Sequence, residues 1–479
     1  MMKIRILIAV LCLFSGYTYA QNCNCEKNFE WVKKTFEEND AGFQYALDIK
    51  GVQAYNNHNK AFLKKVKGLK KSEDCTKALY EWLTFFRAGH IGIRRLENNT
   101  PKTPETKQPK ANENWEQVNI NVPEFQKYLD AKPKTDFEGI WETAPYKMGI
   151  KKIDNNYVGF IIETSAANWK VGELKFKFSK EKGVFYLRDK SAEEFTEIKS
   201  IGRNYLTLGR FTLKRLYPVL EQEKAVESYF KLMSAEKPYL EKVNEKTLLM
   251  RIPSFDGSQR YDIDSVILTH KSEILKTENL IIDLRNNGGG SDESYHEIIP
   301  FLYTNPIRVV GLELLSTKLN NQRMLDFINN PDYGFSEEDK VWAKTAYDTL
   351  DKHLGTFVNL EPTKISIETL DTIYTFPKNV GIIINEGNGS TTEQFLLAAK
   401  QSKKVKLFGT TTFGVLDISN MNFVKSPCGE FELGYCLSKS YRIPDMTIDG
   451  KGIQPDYYID DTIEEYNWIE YVNEILNQH

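Results

Sequence analysis

Residues 279–290 read Asn-Leu-Ile-Ile-Asp-Leu-Arg-Asn-Asn-Gly-Gly-Gly, an apolar run that stops in three consecutive glycines. A short apolar run bounded by glycine is the pattern of a buried strand. Glycine lets the backbone take positive φ and approach a ligand closely. Bare N–H groups at such a turn can stabilise an oxyanion. A phosphate loop is excluded, because no Lys-Ser/Thr follows and the third glycine of a Gly-x-Gly-x-x-Gly pattern falls on Glu293. A second segment repeats the layout. Val380-Gly381-Ile382-Ile383-Ile384 leads through Asn385-Glu386-Gly387-Asn388-Gly389 into Ser390-Thr391-Thr392-Glu393. A serine that opens a helix gains from the helix N-terminus, whose N–H groups favour developing negative charge. The competing structural reading is a Ser-x-x-Glu capping box made by Ser390 and Glu393.

The rest of the chain frames these segments. Lys3 and Arg5 precede an apolar run from Ile6 to Phe14, followed by a small-residue stretch to Ala20. That is the layout of a signal peptide over residues 1–20, too short to span a bilayer, so an exported, soluble protein is expected. Residues 21–98 carry apolar residues at helical spacing, such as Phe29, Val32 and Phe36, and end in Arg87-Ala88-Gly89-His90-Ile91-Gly92. Residues 99–115 are a Pro-rich polar linker. Residues 116–223 alternate short aromatic and β-branched runs with turn residues and predict a β-rich middle domain. Residues 224–479 read as α/β, with a polar helical insertion at about 316–362. Export permits disulfides. Cys428 and Cys436 are placed to staple a hairpin, and Cys75 to pair with Cys23 or Cys25. Cys23-x-Cys25 lacks a second His/Cys pair, which argues against zinc. A net charge of -3 and a pI near 6.2 give no reason to expect a nucleic-acid partner.

Residues 279–290 resemble, almost residue for residue, the strand and oxyanion loop of S41 peptidases, which include tail-specific, C-terminal processing and tricorn-like enzymes. The resemblance covers roughly residues 240–479, with a local match near 80–95. It implies a crotonase-like spiral catalytic core, with Ser390 as the nucleophile three residues before Glu393. It also implies that Gly289 (or Gly288) and Thr391 hold the oxyanion. The Ser-Lys branch of the family carries its base in a Thr-Phe-Gly-Lys context. This chain reads Thr412-Phe413-Gly414-Val415, and valine accepts no proton. The tricorn-like branch uses a histidine and a distant acid instead. On that pattern His90 is the base and Asp449, in Ile448-Asp449-Gly450-Lys451-Gly452, is the third member. The expected activity is hydrolysis of protein or peptide substrates through an acyl-enzyme, with neither metal nor organic cofactor. Two alternatives remain open: a binding protein that kept the fold without activity, and a serine hydrolase of another class. A hydrogen bond between His90 and Ser390 is the feature that speaks against the first.

Overall fold

In the computed structural model, residues 24–96, 115–119 and 121–478 are described. The expected signal peptide, Cys23 and residues 99–114 of the expected linker lie outside them. The chain divides into two compact units. One takes residues up to 100 together with 239–458; the other takes 101–238 together with 459–479.

The first unit is mixed α/β and is built on a six-stranded sheet. Thr247–Arg251, Asn279–Asp283, Asn379–Ile384 and Val405–Gly409 run parallel in that order. Tyr239–Asn244 joins one edge antiparallel, and Tyr457–Tyr458 joins the other in parallel. Parallel strands are covered by helices on both faces, so their sequences are continuously apolar rather than alternating. Leu280, Ile281 and Ile282 are buried, as are Ile382, Ile383 and Ile384. Helix Arg260–Ile274 connects the first pair of parallel strands, and helix Thr391–Ala399 connects the last. The register sets Asp283 beside Ile383, so the two central strands end side by side. Their glycine loops therefore leave the sheet together, although about a hundred residues separate them in the chain. Crevices at the carboxyl ends of parallel strands are where open α/β sheets place ligands.

A second sheet in the same unit has five strands, with Phe431–Ser440 at its centre. Gly92–Arg95 pairs with it from Gly92↔Gly434 to Arg95↔Phe431, and Ile418–Lys425 runs along its other side. The N-terminal helices lay their apolar faces on this sheet. Phe29, Val32, Phe36, Leu79, Trp82 and Leu83 share one core with Phe431, Leu433 and Tyr435. Cys25–Cys75 ties helix Cys25–Asn39 to helix Ser72–Leu83. The hairpin staple expected between Cys428 and Cys436 is not made. Cys436 is a buried free thiol paired in register with Met421, while residue 428 lies in the turn after the strand Ile418–Lys425. Two cysteines so offset along a hairpin do not face each other. Helices Lys318–Asn329 and Glu337–Asp351 pack on each other between the two sheets' strands in sequence, the second opened by a Ser336–Asp339 capping box.

The second unit is a nine-stranded antiparallel sheet whose neighbours are mostly sequential, from Gly139–Thr143 to Phe211–Tyr217. Its core is aromatic: Trp141, Phe176, Phe178 and Phe185 are buried with Met148 and Ile150. Trp115, set at the end of the expected linker, packs against this core and donates Nε1–H to Leu174 O at 2.9 Å.

Candidate active site

Ser390 begins helix Thr391–Ala399 with φ 56° and ψ −125°, left-handed for a residue that is not glycine. Its hydroxyl makes no capping bond. Glu393 does not turn back to cap the helix either. Its buried carboxylate accepts from Thr412 Oγ1 (2.5 Å), Gly414 N (2.8 Å) and Val415 N (2.8 Å). The capping-box reading is thereby set aside, and Glu393 instead ties the 412–415 loop to the serine helix. Burial pushes its carboxyl up, and the three donors pull against that.

The two glycine loops are stitched together by asparagines. Asn287 is fully buried, and its Oδ1 accepts from Phe255 N (3.2 Å) and Gly289 N (3.1 Å). Thr392 Oγ1 lies 2.9 Å from both Asn287 O and Asn287 Oδ1. Asn388 Nδ2 donates to Leu284 O (2.5 Å) and Asn287 O (3.1 Å). Asn385 Oδ1 accepts from Asn286 N at 2.8 Å. Fully satisfied buried networks of this kind rigidify what they join. Gly289 sits hard against the serine. A Cβ there would lie 2.7 Å from Gly389 O, 2.8 Å from Thr391 N and 2.9 Å from Ser390 Cβ. The N–H of Gly289 is already taken by Asn287, whereas Gly288 N and Thr391 N have no acceptor among the described residues. Gly288 and Thr391, with Ser390, line a cleft of about 800 Å³.

His90 lines the same cleft. Its φ is 51°, another left-handed non-glycine residue. Nδ1 lies 2.7 Å from Ile418 O, which fixes the proton on Nδ1 and leaves the Nε2 lone pair available. Burial holds its pKa below the ordinary histidine value; the Ile418 carbonyl opposes this and the nearby Arg87 charge adds to it. Arg87 braces the backbone of this turn by donating to His90 O at 2.8 Å while it forks onto Asp40 at 2.7 and 2.5 Å. No hydrogen bond joins His90 to Ser390; the two meet as walls of one cleft.

Asp449 makes no hydrogen bond to the His90 ring. Its carboxylate accepts from Leu416 N (2.6 Å), Asp417 N (2.6 Å) and Ile418 N (3.1 Å). It thus holds the backbone whose Ile418 carbonyl orients His90. Burial raises its carboxyl, with the Asp417 charge adding and the amides opposing. Val415, at the position of the Ser-Lys branch's lysine, is buried as a wedge between the turns that carry Ser390 and His90. A Cβ on Gly389 would come 2.8 Å from Val415 Cγ2, and one on Gly89 would strike Val415 Cγ1. Among the described residues, no cluster of three or more His, Cys, Asp or Glu side chains is arranged to hold a metal ion.

Residues 246–459 match the model of peptidase family S41. The chain carries an S41 peptidase domain. The S41 family is one of serine-type endopeptidases, and both glycine loops, Ser390 and Asp449 fall within the matched span. The fold extends the likeness beyond that span. The crystal structure of mature CPAF aligns with a TM-score of 0.52 at 11% identity, over 95% of this chain and 96% of that one. Mature CPAF complexed with lactacystin aligns with the same TM-score at 12% identity, over 95% and 98%. A sequence search of curated proteins found no match. His90 precedes the S41 span, so this domain alone does not contain the whole cleft wall.

Several residues of the site carried no sequence signal as such. Asn287, Asn385 and Asn388 stand in the quoted segments, and Arg87 in the Arg87-Ala88-Gly89-His90 stretch, without a role of their own. The one available hint was that an Asn-Gly pair stands in both glycine segments, at 287–288 and at 388–389.

Proposed function

We propose that this S41 peptidase cleaves peptide bonds with Ser390 as nucleophile, His90 as general base, and the N–H groups of Gly288 and Thr391 as oxyanion donors. The observation that carries the reading is Ser390 itself. It is uncapped and left-handed at a strand-to-helix turn, on the wall of a cleft shared with His90. His90 Nε2 takes the Ser390 proton as Oγ attacks the carbonyl carbon. The carbonyl oxygen gains charge against the open donors and the N-terminus of helix Thr391–Ala399. The proton then passes to the departing amine. Water, deprotonated by the same nitrogen, releases the acyl group and restores the serine. Here the group that orients the histidine is a main-chain carbonyl, and Asp449 is a positioning residue acting through it. Catalytic hydrogen bonds are often long before substrate is bound, which fits a His90–Ser390 bond that forms only with substrate in the cleft. Of the two oxyanion glycines, the occupied N–H of Gly289 favours Gly288.

The same reading takes the α/β core as a crotonase-like spiral, the substrate as protein or peptide, and the protein as exported. Lys3, Arg5 and the apolar run to Phe14 support export. No described helix is long and apolar enough to cross a membrane. Labelling with a fluorophosphonate followed by mapping of the modified peptide tests the assignment. The label is expected on Ser390 and absent from Ser390→Ala. Labelling elsewhere, or a folded Ser390→Ala protein with wild-type turnover, overturns it.

A further inference from the structure

Arg442 is the one arginine or lysine among the residues that line the cleft around Ser390. It follows the strand Phe431–Ser440 and is only 6% exposed. Its Nε donates to Asp417 Oδ1 at 2.6 Å. Asp417 is fully buried, and its other oxygen accepts from Ile448 N (2.6 Å) and Asp449 N (2.9 Å). The guanidinium is therefore gripped along its Nε edge by an acid that cannot move. Its two terminal nitrogens have no partner among the described residues. Arginine offers five donors in a rigid fork matched to carboxylate, and a fork held on one side presents the other already oriented.

The surroundings narrow the ligand. Val309, Val310, Leu312, Phe327 and Met421 give the cleft an apolar wall. Asp292 is the one carboxylate among the residues that line the cleft. No ion pair joins it to Arg442. A cleft of mixed polar and apolar lining, with one pre-oriented cation and a serine on its wall, suits a peptide that brings a carboxylate.

We infer that Arg442 is a specificity-determining residue that binds a carboxylate of the peptide substrate, either an acidic side chain or the free C-terminus. This rests on the Ser390 reading above. Charge-assisted bidentate bonds of this kind contribute enough to alter affinity by about tenfold or more.

Four fluorogenic peptides of one sequence test it: a free C-terminal acid, its amide, an amide with an internal Glu, and an amide with Gln in its place. Their affinities are measured by anisotropy on full-length Ser390→Ala protein, and kcat/KM on the wild type. The wild type is expected to favour acid over amide, or Glu over Gln, by about tenfold, and the favoured pair identifies the source of the carboxylate. In Arg442→Met that ratio is expected to fall to about one. Should Arg442→Met not fold, Arg442→Lys keeps a cation on Asp417 but loses the fork, and at least a threefold loss of the ratio is expected. Equal affinity for all four peptides, or a ratio unchanged by substitution, overturns the inference. The anisotropy arm needs no turnover, so failure of the Arg442 inference is separate from failure of the nucleophile. The latter shows as Ser390→Ala protein that still cleaves.

Discussion

Ser390 and His90 both hold left-handed backbone, at φ 56° and 51°. Such residues carry roughly 1–3 kcal/mol of strain and persist only where the surroundings over-determine them. Around Ser390 the surroundings are Gly289, Gly389 and the Val415 wedge; around His90 they are Arg87 and the Ile418 carbonyl. Gly289 had been expected to supply an oxyanion donor, but its N–H is spent on Asn287. Its closeness to Ser390 gives substitution a different mode of damage. Gly289→Ala is expected to reduce kcat by roughly 10²-fold or more, because a misplacement of about 1 Å is enough for that. Stability should fall with it, since φ at 289 is 101° and the new methyl meets backbone. Measuring kcat and the urea midpoint on one preparation checks this; a normal kcat with only a lowered midpoint would remove Gly289 from the positioning of Ser390. With His90 as the proposed base, the pH dependence follows from its environment. Its folded pKa lies below the ordinary value near 6.5, so the neutral, base-competent form is retained further into acid. The kcat/KM profile is expected to rise through one group with a midpoint below 6.5. A midpoint above about 8 would point to a lysine acting as base.

At the scale of elements, the geometry of the proposed site depends on loops tied to other loops. Glu393 leaves the first turn of the serine helix to hold residues 412–415, and Asp449 holds residues 416–418. One stretch of backbone thus connects the serine helix to the carbonyl that orients the histidine. Asp449→Asn retains size but supplies an N–H where an acceptor is needed, opposite the backbone donors. It is expected to lower kcat by about tenfold or more while KM changes less than threefold, since nothing that binds substrate is removed. A purely structural role would lower the urea midpoint and the fraction folded without changing kcat per active site. Titrating active sites with fluorophosphonate separates the two results. Thr392 makes a related point: its hydroxyl bonds Asn287 and so ties the serine helix to the first glycine loop.

For the whole molecule, the second unit carries a pH-dependent weakness of its own. Lys175 is fully buried, with Nζ 3.9 Å from the ring centre of Tyr146 and 4.0 Å from that of Trp169. Burial pushes it down to about 7. The unfolded chain therefore binds more protons than the folded one between pH about 7 and the free lysine value near 10.4, and stability rises with pH across that window. Lys175→Met is expected to flatten this rise in the urea midpoint between pH 7 and 10; an equal slope in both proteins would rule out Lys175 as its source. The apolar runs 280–284 and 380–384 with their glycines determined two buried strands and a serine at a helix start, because burial and backbone freedom are local properties of residue type. Val415, where the resemblance to the Ser-Lys branch would put a lysine, likewise spoke against that base. Other features depended on pairing between distant segments. Parallel register brought the glycine loops together, and the strand Gly92–Arg95 seated the His90 turn beside Ile418. Asp449 was legible as an acid in a turn, but its bonding to three backbone amides was not, since those donors come from residues 416–418. The Cys428–Cys436 staple looked plausible by spacing, yet strand register set the two side chains apart. Residue types and short-range patterns are written along the chain, whereas which backbone group meets which side chain across thirty to three hundred residues is decided only when the sheets close.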